Sequence, residues 1–181
     1  MTQTPDFTHR VATKEDIPEL TTIMHASIGT LQDSFLTPEQ VQASFELMGM
    51  DTQLIEDGTY YAIQCGNEIV GCGGWSRRET LYGANHTKGR NPRLLDPASE
   101  AARIRAMYTH PDWARRGIGR LIMDLCESKA REEGFQTCQL MATLSGEPLY
   151  KVCGYEPVVY EEVPTSLGVN VPLIKMEKSL V

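Results

Sequence analysis

The stretch Thr109-His110-Pro111-Asp112-Trp113-Ala114-Arg115-Arg116-Gly117-Ile118-Gly119-Arg120 decides how this chain reads. It follows a run with strand character, Arg103–Thr109, and opens a segment in which Ile118, Leu121, Ile122 and Leu125 recur at helical spacing. Two glycines at such a junction allow a tight turn and close approach of a ligand to the backbone. Successive N–H groups at a helix start point at whatever lies there, and the helix end adds partial positive charge. Arg115, Arg116 and Arg120 add full charges. These features describe a seat for a pyrophosphate. A dinucleotide fingerprint needs a third small residue where Ile122 stands, and a P-loop needs a Gly-Lys-Ser/Thr triplet that is absent. Taken alone, the junction reads equally well as a plain tight turn.

Working outward, Phe7–Val11 reads as a first strand, and Thr13 with Asp16 has the spacing of a capping box before Ile17, Leu20, Met24 and Leu31. Thr37-Pro38-Glu39-Gln40 starts a second helix carrying Val41, Phe45 and Met48. Thr59–Gln64 and Ile69–Trp75 form a hairpin around Gly66-Asn67. Residues 77–100 hold glycines, asparagines and prolines with little periodicity and read as a long loop insertion. Beyond the central helix, which Gly134 stops, come a strand at Gln136–Ala142, a short helix at Gly146–Val152, and a strand pair at Tyr155–Val163 and Val171–Met176. The order is mixed α/β in one domain spanning 1–181, and the unit Arg103–Ala142 needs a parallel pair.

Bulk composition narrows the function classes. The chain has 181 residues, a net charge of -7, 41% hydrophobic and 23% charged residues, an ordinary globular balance. Acidic surfaces repel phosphate backbones, so nucleic acid is not the expected partner. Five cysteines without a CxxC pair suit neither a zinc site nor a disulfide framework and predict free thiols in a reducing compartment. Met1–Arg10 carries no apolar run of leader type and no segment approaches the length of a membrane span, so the expected location is cytoplasmic.

Three segments in order carry a family resemblance. Met107–Asp112 followed by Arg115–Leu121 resembles the CoA-binding motif of the GNAT (GCN5-related N-acetyltransferase) superfamily. Pro148-Leu149-Tyr150-Lys151-Val152-Cys153-Gly154-Tyr155 resembles that family's second signature, and Val11–Pro18 is similar to its usual opening. The resemblance implies a single-domain GNAT-like fold: a mixed, twisted sheet splayed between its fourth and fifth strands and flanked by helices. It further implies acetyl-CoA in the gap, on Met107, Tyr108 and Thr109, with the pyrophosphate on Arg115, Arg116, Gly117, Ile118, Gly119 and Arg120, Ser145 nearby, and no metal. Ala114 departs from the family's usual Gln or Arg and removes one side-chain contact. A homodimer is the assembly the resemblance allows.

The implied reaction is acetyl transfer to an amine of a small molecule or peptide. Tyr150 matches the family's general acid; a phenol of pKa ~10 stays protonated at neutral pH and can donate to a thiolate of pKa ~8.5. The base stays open among His110, Asp96, Glu100, Glu161 and a water relay. Trp75 is read as a wall of the acceptor pocket. Alternation along the strand puts Arg103 and Arg105 on one face with Met107 and Thr109. The two arginines then either bind an anionic group on the acceptor or sit in structural ion pairs. Two further readings keep the cofactor site: another acyl-CoA donor or an oxygen acceptor, and a CoA-binding sensor without turnover.

Overall fold

The structure, a computed structural model, describes residues 5–181. Of the Met1–Arg10 segment read above for a leader, residues 1–4 lie outside the described residues. Seven strands form one sheet: β1 (Phe7–Val11), β2 (Tyr60–Cys65), β3 (Glu68–Ser76), β4 (Ala102–Thr109), β5 (Thr137–Ala142), β6 (Glu156–Pro164) and β7 (Asn170–Ser179). Their order is β1-β2-β3-β4-β5-β7-β6. Every neighbouring pair is antiparallel except β4 and β5, the strand–helix–strand unit expected from the sequence. That parallel pair has only two rungs, Ala102 with Cys138 and Arg103 with Gln139, after which the strands part.

Helices α1 (Ile17–Thr30), α2 (Pro38–Leu47) and α3 (Thr52–Glu56) cover one side of the sheet, and α4 (Ile118–Glu132) and α5 (Glu147–Val152) the other. The box at Thr13 and Asp16 caps a 3-10 turn, Lys14–Asp16, that runs straight into α1. Thr37 and Gln40 cap α2 reciprocally, as their spacing predicts. Leu20, Met24 and Ile28 bury one stripe of α1 on Ala62 and Cys72; each large side chain so buried contributes about 1.5–3 kcal/mol. On the opposite side Ile118, Ile122, Met123 and Cys126 of α4 pack on Ile63, Val70 and Ile104. The close fit of α4 depends on Gly71 and Gly73: a Cβ there would stand 2.5 Å from Ile118 and 2.7 Å from Ile122. Ala43 and Leu47 of α2 meet Val171 and Leu173 of β7.

Two features escape the sequence reading. Helix α3 has only five residues, too few to show a period, and is capped by Asp51. Strand β4 carries a bulge: Ala106 and Met107 together oppose Gly73, and Ala106 has φ 50. Tyr60 donates to the bulged Ala106 carbonyl at 2.7 Å. The extra residue corrects the alternation expected above. Met107 moves to the α4 face with Ile104, while Tyr108 packs beneath α1. Residues 77–100 fold back on themselves through Arg78 and Leu94 and through Glu79 N–H to the Arg93 carbonyl, 2.9 Å. Among the described residues no helix is long and apolar enough to cross a membrane.

Candidate active site

Where β4 and β5 separate, a groove of about 680 Å³ opens. One wall is the end of β4, Met107 to Thr109; another is the turn into α4; the remainder comes from α1, the segment after it, and α5. His110 N–H donates to the Val70 carbonyl of β3 at 2.9 Å, so by alternation the amide of Thr109 faces the gap. In the turn, Arg115 has φ 65 and Gly117 φ 89. Left-handed residues in such a turn curl successive N–H groups into a concavity suited to an anion. It lies against the N-terminus of α4, a helix of 15 residues.

Ala114, Arg115, Gly117, Ile118, Gly119 and Arg120 all line the groove. Arg116 does not: its guanidinium lies over the Trp113 ring, 4.8 Å from the centroid. Of the three arginine side chains, those of Arg115 and Arg120 therefore border the groove. Gly119 gives room to α5, since a Cβ there would stand 2.6 Å from Leu149 Cδ2. Ser145 lines the groove with its hydroxyl 3.0 Å from that of Thr143, which accepts from Gly146 N–H at 3.1 Å.

A second cavity, about 90 Å³, adjoins the first. Met48, Met107, Tyr108, Thr143 and Tyr150 belong to both linings, so Tyr150 stands at the junction. Its hydroxyl is 4.0 Å from Met107 Sδ, and its ring meets Tyr155 edge-on at 6.3 Å. Burial pushes the phenol up to about 12. It is therefore protonated at any physiological pH, as a proton donor must be.

The small cavity is closed by residues the sequence reading left unassigned. Leu81, Tyr82 and Gly83 of the long loop form one side and Leu47, Met48 and Gly49 the other. Both segments are tied down. Gly49 N–H donates to the Tyr108 hydroxyl at 2.9 Å, and Asn85 N–H to the Met50 carbonyl at 2.8 Å. Arg105 lines this cavity, but its donors go to Asp51 (2.8 Å) and the carbonyls of Gly83 (2.8 Å) and Thr80 (3.3 Å). Burial lowers its pKa, against the opposing pull of Asp51. Asp51 also binds Arg90. It is the organising carboxylate of this end of the cleft. Its only signal in the sequence was an acidic residue just before a helix too short to recognise.

Other expected acceptor residues lie elsewhere. Trp75 is 1% exposed in the core, edge-on to Phe135, and lines neither cavity; its strand faces α4 at that point, which corrects its placement as a pocket wall. Arg103 bonds to Gln139 and the Glu79 carbonyl and lines neither cavity. Arg77 and Arg78 pair with Glu133 (2.5 Å) and Asp57 (2.7 Å). Among the described residues no cluster of three or more His, Cys, Asp or Glu could hold a metal ion.

Residues 26–155 match the Acetyltransferase (GNAT) family, and the chain belongs to it: this is an acyltransferase. No curated protein matches in sequence. Among solved structures, a GCN5-related N-acetyltransferase from Rhodopseudomonas palustris superposes with TM-score 0.68 at 19% identity, covering 99% of this chain and 98% of that one. PaiA N-acetyltransferase from Thermoplasma acidophilum, in complex with coenzyme A, gives TM-score 0.64 at 12% identity, covering 96% and 99%. YncA from Salmonella typhimurium, with its cofactor acetyl-CoA, gives 0.64 at 17%, covering 97% and 94%. At these identities the likeness is one of fold.

Proposed function

We propose that this chain is an acetyl-CoA-dependent N-acetyltransferase acting on a primary amine of a small molecule or peptide. The observation that carries the reading is the position of Tyr150, at the junction between a groove that ends on the turn into α4 and a small cavity. The groove suits a long anionic cofactor. The end of β4 at Met107 and Thr109 would serve amide groups laid in the gap, and the turn at Arg115–Arg120 a pyrophosphate. Acetyl-CoA supplies a thioester whose carbonyl accepts the amine and whose sulfur departs.

The protein's task is orientation and proton movement. The small cavity brings the amine to the thioester end of the groove and excludes bulk water there. Tyr150 donates its proton to the departing sulfur, with a phenol that burial keeps neutral; of the two protons the ammonium gives up, one leaves through water and the other restores Tyr150. The five cysteines are free, in keeping with a reducing cytoplasm.

The test is thiol release from acetyl-CoA on a panel of amines, for the wild type and for Tyr150→Phe. The substitution keeps the ring and removes only the donor. Turnover is expected to fall by ~10²–10⁴ with CoA affinity within about two-fold. An unchanged turnover number, with chemistry shown to be the slow step, makes Tyr150 a packing residue. A protein that binds CoA yet releases no thiol on any amine is a sensor rather than an enzyme.

A further inference from the structure

An amine acceptor reaches the cleft mostly as an ammonium ion, neutral in about one molecule in a few thousand at pH 7 for a pKa of ~10.4. Some group at the acceptor end must meet that charge. Four side chains were open from the sequence, and the structure engages three of them away from the cleft. His110 Nδ1 accepts from Asp112 N–H at 3.1 Å. Asp96 closes a turn on Ala98 N–H and the Ser99 hydroxyl. Glu100 is held by Arg93 and by Asp96 N–H, which bring its pKa down to about 2.

Glu161 differs. It pairs across the ladder with Leu173, and Leu173 packs with Leu47 and Tyr82, both of which wall the small cavity. Side chains directly opposite on a sheet share a face, so Glu161 stands on the cavity side of β6. Tyr82 registers it: burial first, and then the charge of Glu161, raise that phenol. Among the described residues Glu161 is exposed and makes no side-chain hydrogen bond or ion pair, including with Lys175 two residues along β7. The charged residue lining the cavity, Arg105, is already matched by Asp51. Leu47, Leu81, Ile104, Leu140 and Met141 of the cavity's lining are suited to methylene groups.

We infer that Glu161 is the recognition carboxylate of the acceptor site, and that the acceptor is a linear diamine. One nitrogen reaches Tyr150 through the cavity while the other stays charged beyond its lining, on the exposed face of β6 where Glu161 stands opposite Leu173. This inference rests on the acetyltransfer reading above and names the class of substrate it serves. It also opposes an acceptor bearing a carboxylate, because the donors of both strand arginines go to protein acceptors.

Three probes of matched length separate the cases: cadaverine, pentylamine and δ-aminovalerate, which end in a cation, a methyl group and an anion. Acetylation efficiency is expected in that order. Glu161→Gln should raise KM for cadaverine about five-fold, as an exposed charge pair near 1 kcal/mol would, and leave pentylamine within two-fold at equal kcat. Added salt should shrink the cadaverine preference of the wild type and not that of the variant. Calorimetry of cadaverine on the CoA-saturated protein reads the same contact without turnover, with the same five-fold loss expected in the variant. Equal KM and equal affinity in both proteins, no binding of cadaverine to the wild type, or a preference for δ-aminovalerate overturns the inference. If instead thiol release fails on every amine while Glu161→Gln still weakens cadaverine binding, the acetyltransfer reading fails and the recognition site stands.

Discussion

Asp51 shows how much a single carboxylate can carry. It is 2% exposed, binds Arg105 and Arg90, and caps α3 through Gln53 N–H. Removing it leaves two guanidinium groups around an unfilled position. Breaking a buried pair from one side costs about 3–5 kcal/mol, so Asp51→Ala should lower the urea midpoint far more than Arg93→Ala on the surface, at unchanged m-value. Similar shifts for the two variants would mean that water replaces the carboxylate at no cost. Residue by residue, the turn into α4 was the legible part of the groove. Arg115, Gly117 and Gly119 are adjacent in sequence, and their spacing is their chemistry. The small cavity was not, because Leu47, Tyr82, Arg105 and Tyr150 come from four separate segments that only the fold brings together.

At the scale of elements, helices with caps and a repeating apolar stripe were readable, and α1, α2 and α4 lie where their periods put them. The bulge in β4 was not, because it is a matter of pairing between strands: one residue of β3 stands against two of β4. The glycines of β3 are the other half of that pairing. Gly73→Ala would place its Cβ 2.7 Å from Ile122 and 3.0 Å from Met107, both on the α4 side of the sheet. The expected loss is about 1–3 kcal/mol of overpacking strain, with weaker CoA binding because Met107 is displaced from the gap. A thermal melt and a CoA titration check both parts. A variant with wild-type melting and affinity would show that α4 can lift off the strand freely.

For the whole molecule, the buried neutral groups decide the response to alkali. Burial pushes Cys72, Cys138 and Tyr150 up to about 12, and holds Tyr60, Tyr108 and Tyr155 well above the usual phenol. A group whose folded pKa is raised contributes stability that is full below its unfolded value and is lost as pH climbs through the folded one. Stability should therefore hold to about pH 9 and fall steeply between about 10 and 12. At the other end, the Arg10 guanidinium lowers Asp16 to about 2, a contribution lost only as pH falls from about 4 through that value. Melting temperatures across this range test the account, and equal values at about pH 8 and 11 would refute it. The two-rung join between β4 and β5 has a consequence in time. Every strand on one side of it lies before Pro111, and every strand on the other lies after Gln136. A chain emerging from the ribosome N-terminus first can complete the four-stranded half, and lay α4 across it, before the other half exists. The groove comes into being only once β5 and α5 have followed α4, so a nascent chain cannot take up a ligand there until residues through Val152 have been made.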